Sequence, residues 1–72
     1  MTAEDRAVAL VANALEIQGT VSLNDDMSSL AAWNSLADAR LMLEVEAALG
    51  RELTGEEVAN IVSVEAVAKL FG

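Results

Sequence analysis

The chain contains no cysteine, no histidine, no proline and no tyrosine. Without cysteine, neither a disulfide staple nor a thiolate metal site is available. Without histidine, the commonest metal ligand and the usual general base near neutral pH are both missing. Catalysis would fall to carboxylates, hydroxyls and four basic side chains, Arg6, Arg40, Arg51 and Lys69, so the expectation is that the protein is not an enzyme. Basic residues are themselves scarce: four face twelve acidic ones, for a net charge of −8. Such a surface repels nucleic acid phosphates, whose binding depends on Lys and Arg displacing counterions. It suits partners that present basic patches and speeds encounter with them. No apolar run reaches the length of a membrane span. The opening Met-Thr-Ala-Glu-Asp also lacks the basic and apolar start of a secretory signal. Neither nucleic acid nor membrane is expected as a partner, and the expected location is cytoplasmic.

What is present is apolar and periodic. Of the 72 residues 54% are hydrophobic, and they recur with helical spacing, which argues against disorder. The expectation is one all-α domain spanning 1–72, monomeric, hiding only about 60% of its unfolded surface. Thr2 followed by Asp5 predicts a capped start for helix one, from Ala3 to Ile17. It would bury Ala7, Val8, Leu10, Val11, Ala14 and Leu15, and Gly19 would end it by accepting the left-handed conformation. A long connection rich in Ser, Asn and Asp follows, from Gln18 to Trp33, where helix pairs usually need only about 2–8 residues. Val21, Leu23, Met27 and Leu30 recur through it and are expected to anchor it to the helices. Helix two should run from Ser35 to Gly50. Thr54 with Glu57 forms a capping box for a short third helix carrying Val58 and Ile61. Ser63 caps a last helix, Val64 to Phe71, with Val64, Val67, Ala68 and Leu70 inward and Lys69 near its negative end.

Helix two carries two apolar rows. At about 100° per residue, Leu41, Met42, Val45 and Leu49 cluster on one side, enough to pack against the other helices. Leu36, Ala39, Leu43 and Ala47 form a second row, displaced by more than a right angle. A small core can hardly absorb both, so the second row is a candidate exposed strip flanked by Asp38, Arg40, Glu44 and Glu46. Apolar strips rimmed by charge mark partner surfaces, although alanines at 39 and 47 are also simply good helix formers.

Ser35 lies at the top of that row. The unpaired N–H groups and dipole of a helix start favour an attached anion there, and no histidine is present to make the hydroxyl a hydrolytic nucleophile. Serine is also a preferred helix cap whatever the function, and loss of a cap costs about 1 kcal/mol. Trp33, just before the helix, reads as a staple whose indole N–H finds a carbonyl or water; the alternative is a partner contact. The pairs Asp25-Asp26 and Glu56-Glu57 lack the spaced ligands of a calcium loop, so no dedicated metal site is expected.

The tetrad Trp33-Asn34-Ser35-Leu36, with apolar residues at Leu41, Val45 and Leu49, resembles the acyl carrier protein family. The likeness runs on through "Glu-Leu-Thr-Gly-Glu-Glu" and "Ile-Val-Ser-Val-Glu-Ala-Val" to Phe71. Members share an Asp-Ser-Leu motif at the start of their second helix. The resemblance implies a small bundle of three main helices plus a short one, with a long loop between helices one and two. It implies a 4′-phosphopantetheine arm on Ser35, transferred from coenzyme A by a phosphopantetheinyl transferase. The thiol of that arm would carry acyl, aminoacyl, polyketide or peptidyl groups as thioesters between biosynthetic enzymes with basic docking patches. Leu36, Ala39, Arg40, Leu43 and Glu46 would then form the partner face, with Trp33 and Asn34 flanking the motif. Two positions depart from the family pattern: Asn34 replaces the usual aspartate, and Arg40 interrupts a helix that is strongly acidic in primary fatty acid synthesis. Both suggest a specialised carrier, as in polyketide, nonribosomal peptide or cell-surface biosynthesis. The alternative is a carrier-fold adaptor that is never modified and docks partners through helix two.

Overall fold

The computed structural model describes residues 2–72 of the protein. Four helices follow one another: α1 (Ala3–Ala14), α2 (Ser35–Leu49), α3 (Gly55–Asn60) and α4 (Val64–Phe71). No strand occurs among the described residues; an isolated bridge pairs Asp26 with Ser63. The described fold is all-α, and none of its helices is long and apolar enough to cross a membrane.

Each helix begins where a short polar side chain can accept from its first turn. The Asp5 N–H donates to Thr2 Oγ1 at 3.1 Å, and the Thr2 N–H points back at the Asp5 carboxylate. Thr54 and Glu57 repeat this reciprocal arrangement at α3. Ser63 Oγ accepts from the Ala66 N–H at 3.1 Å to open α4. Glu57 is held further by Arg51, whose guanidinium forks onto both carboxylate oxygens at 2.9 and 2.8 Å. That contact, together with the Thr54 N–H, holds the Glu57 carboxyl down at about 2, from an ordinary 4.5.

The end of α1 differs from expectation. The helix stops at Ala14, before Ile17, and the left-handed residue is Glu16 at φ 55°; Gly19 is not the stop. The Glu16 N–H donates to Asn13 O and the Ile17 N–H to Ala12 O at 2.9 Å. This is the paired bonding of a Schellman ending. A non-glycine residue in that conformation costs about 1–2 kcal/mol. Two contacts offset it: Ile17 packs against the core, and Arg40 bonds the Glu16 carboxylate at 2.9 Å. The end of α2 is as expected: Gly50 takes φ 73° and the Arg51 N–H returns to Glu46 O.

α1 packs chiefly on α4 and also on α2. Val11, Leu41, Val45, Val64 and Val67 are fully enclosed where these helices meet, with Ala7, Ala14, Leu15, Ala37 and Ile61 around them. Val8, Leu10, Leu49 and Leu70 are only half-buried at the margin. The long loop is ordered by both side chains and backbone. Val21 is buried, and Leu23 and Leu30 lean on the core. Met27, expected as a fourth anchor, is instead exposed. Its backbone makes the tie there, because the Met27 N–H donates to Val62 O and the Val64 N–H to Asp25 O, both at 3.0 Å. Asp26 shapes this turn by accepting from the Ser28 and Ser29 N–H groups and from Ser28 Oγ, which lowers the pKa of its carboxyl.

Candidate functional site

The loop delivers the chain to α2 through Trp33 and Asn34. Trp33 is 4% exposed, so its ring belongs to the core and is not open to a partner. Its indole N–H donates to Asp38 Oδ1 at 2.9 Å, a carboxylate one turn into the helix. A buried indole needs such an acceptor. Asn34 is the helix cap: its Oδ1 accepts from the Ala37 N–H at 2.9 Å, and its backbone oxygen accepts from the Asp38 N–H at 2.8 Å.

Ser35 is therefore the first helical residue and does not cap the helix. It is exposed, and neither its hydroxyl nor its N–H has a hydrogen-bond partner among the described residues. Asn34 takes the capping role that serine often plays, leaving the Ser35 hydroxyl free. The unengaged N–H groups of Ser35 and Leu36 point out of the helix start, where the positive end of the helix dipole favours an anion.

Below Ser35 the second apolar row of α2 stands in solvent. Leu36 is 71% exposed and Leu43 66% exposed, with Ala39 and Ala47 exposed beside them. The opposite row supplies Leu41, Met42 and Val45 to the core. Two exposed leucines on one helix face, with alanines between them, make an apolar strip of the kind that partners cover.

The charged flanks of the strip are less free than their spacing suggests. Arg40 is exposed and pairs with Glu16 across the helix pair at 2.9 Å. Glu46 is half-buried, and its Oε2 accepts from the Leu53 N–H at 2.8 Å, which secures the α2–α3 connection. One oxygen of Glu46 is thus engaged within the fold. Glu44 turns toward α1, where Asn13 Nδ2 donates to its Oε1 at 2.8 Å, while its Oε2 is buried without a donor. Between α1, α2 and Phe71 lies a shallow groove of about 440 Å³ lined by Leu10, Ala47 and Ala48.

Chemically, the site offers a free hydroxyl, an apolar strip and, in the first turn of the helix, the half-buried carboxylate of Asp38. No group of His, Cys, Asp and Glu among the described residues could hold a metal ion. The sequence pattern placed Ser35 at the start of α2, Asn34 able to cap it and the second apolar row outside the core, as the structure has them. The bond between Trp33 and Asp38 was not foreseen; the acid in the first turn of α2, five residues after a tryptophan, was the available signal. Compared with family models, with curated proteins and with solved structures, the chain matches none of them.

Proposed function

We propose that the protein is a carrier of the acyl carrier type, modified on Ser35 with 4′-phosphopantetheine. The observation that carries this reading is the exposed Ser35 hydroxyl, free of hydrogen bonds at the start of α2 and heading a strip of exposed leucines. In the modification, Ser35 Oγ forms a bond to the phosphorus that bears the pantetheine arm of coenzyme A. The bond from that phosphorus to the adenosine bisphosphate portion breaks, and the hydroxyl proton passes to a base on the transferase. The resulting phosphodiester sits at the positive end of α2, beside two unengaged N–H groups.

The arm's thiol then carries its cargo as a thioester, so the protein itself need not catalyse anything. Leu36, Ala39 and Leu43 form the docking strip, and the charge of −8 steers partners with basic patches toward it. The four-helix order, with a long ordered loop before α2 and a short α3, suits the acyl-carrier bundle. Asn34 and the Arg40–Glu16 pair favour a specialised biosynthetic role over primary fatty acid synthesis, in the cytoplasm.

A second reading is favoured by Asn34. Its uncharged side chain is committed to the cap, and a transferase that requires a charge there would pass the protein over. The strip on α2 would then dock partners with no arm attached.

The deciding measurement is intact mass before and after incubation with coenzyme A and a promiscuous phosphopantetheinyl transferase, with Ser35→Ala in parallel. The expected result is one phosphopantetheine increment in the wild type and none in the variant. Because Ser35 does not cap the helix, the substitution should change stability by no more than about 0.5 kcal/mol, so the missing increment would report the site and not a lost fold. Absence of the increment with several transferases would favour the adaptor.

A further inference from the structure

The groove between α1 and α2 lies away from Ser35. Glu44, on its wall, stands about 13 Å further along the α2 axis and about 180° around it. α1 contributes Arg6, Leu10 and Asn13 to the groove, one helical face at spacings of three and four. Ala9, Ala47 and Ala48 are small and exposed, so the floor between the two helices is shallow and apolar.

The charge on its wall is unbalanced. Glu44 Oε1 accepts from Asn13 Nδ2 at 2.8 Å, and Oε2 is buried with no donor. An enclosed carboxylate oxygen without a donor is costly. No cation among the described residues relieves it. Arg40, one turn earlier on α2, bonds Glu16 at 2.9 Å. Arg51 holds Glu57, and Lys69 lies near Glu65. Arg6 sits over the Phe71 ring, 4.3 Å from its centroid, and pairs with no carboxylate among the described residues.

The missing donor has a definite chemistry. One oxygen of Glu44 is already committed to Asn13, so a guanidinium fork, which needs both oxygens, is a poor match. A point-charge donor matches it: a lysine ammonium, whose methylene stem would lie on the alanine floor. The terminal torsion of a glutamate is soft, so Oε2 can turn toward that ammonium while Asn13 keeps Oε1. Arg6 sets a second requirement. It stands about two turns of α1 before Asn13, about 10 Å away, and its charge repels a second lysine and attracts an acid. An open seam between two helices, floored by small residues, is suited to the apolar face of a third.

We propose that the α1–α2 groove is a docking site for an amphipathic helix of a partner protein, which sets a lysine on Glu44 and an acidic residue, about two turns away, toward Arg6. The site uses neither the Ser35 hydroxyl nor an attached arm, so it stands apart from the carrier reading.

The test titrates the full, isotope-labelled chain with a blocked alanine–leucine helical peptide carrying one lysine and, two turns away, one glutamate. Amide shifts should change saturably at Ala9, Leu10, Asn13 and Ala48. Norleucine in place of the peptide's lysine removes the ammonium and keeps the stem. It should weaken binding about tenfold, within the range for a hydrogen bond to a charged group. Glu44→Gln should weaken the lysine peptide by the same factor and leave the norleucine peptide unaffected. Glu56→Gln removes an equal charge from the exposed start of α3 and should change neither, which separates the site from general attraction to an acidic surface. Ala9→Gln, which lengthens a side chain over the floor, should weaken both peptides. Should Glu44→Gln fail to fold, the lysine and norleucine peptides on the wild type still decide. Equal affinity for those two peptides, shifts confined to Leu36 and Leu43, or no saturable shift would each overturn the proposal. None of these results bears on the intact-mass measurement at Ser35, so either reading can fail while the other stands.

Discussion

Leu41 and Leu43 are separated by one residue in α2 and differ completely in surroundings: the first is wholly enclosed, the second 66% exposed. Replacing each with alanine removes the same atoms. At Leu41 the change deletes buried methyl groups and leaves a cavity in the core to which the fully enclosed Val11, Val45, Val64 and Val67 also belong. Substitutions of this kind cost about 3–5 kcal/mol. A chain of 72 residues has a total stability of about 4–11 kcal/mol, so the loss is a large share of the whole. With an unfolding entropy of about 2.1 cal/mol/K per residue, the chain's total is about 0.15 kcal/mol/K. The melting temperature should then fall by about 20–30 °C. At Leu43 little area returns to water and alanine is the better helix former, so the change should stay within about 0.5 kcal/mol, or about 3 °C. Circular dichroism melts of the two variants beside wild type measure both. On the proposed carrier reading, the same Leu43→Ala protein should bind partner enzymes more weakly, because it removes an exposed leucine of the strip. If Leu43→Ala melts as low as Leu41→Ala, the second row is buried, and the partner surface assigned to α2 does not exist.

Asn34→Ala should cost about 1 kcal/mol, because the Ala37 N–H loses its acceptor. Asn34→Asp should keep the cap and add a charge favourable to the helix dipole, and urea titrations of the two variants would order them on either side of wild type. Acid stability should follow Glu57. Its folded carboxyl titrates at about 2, against 4.5 ordinarily, so between those values the unfolded chain binds more protons than the folded one. The stabilisation is present above about pH 4.5 and is lost as pH falls toward 2. Glu57→Gln should flatten the stability profile across that window, and an unchanged acid limb would mean that the Arg51–Glu57 fork does not persist in solution.

Local signals carried much of the fold because they act over one turn of helix. Thr2, Asn34, Thr54 and Ser63 each accept from the N–H three residues on, and that chemistry is visible in four letters of sequence. Gly50 marks the end of α2 for an equally local reason, since it takes the left-handed conformation at little cost. The two faces of α2 were legible from periodicity alone. The end of α1 was not. Glu16 adopts a conformation that glycine favours because Ile17 reaches the core and Arg40 reaches back from α2, contacts that span the fold. Met27 failed as an anchor for a related reason: its backbone is recruited by Val62, a residue far along the chain.

The candidate site divides in the same way. An exposed serine beside a capping asparagine, above a row of leucines, follows from sequence because helix geometry places those residues without help from the rest of the molecule. Only the packed molecule decided that Trp33 is enclosed and bonded to Asp38, that Arg40 and Glu46 are tied to Glu16 and to the Leu53 N–H, and that Leu36 and Leu43 stay in water. Pattern assigns a residue to a face. Which faces are covered, and which charges find partners, depends on how α1 closes against α4 and α2, and no window of sequence contains that contact.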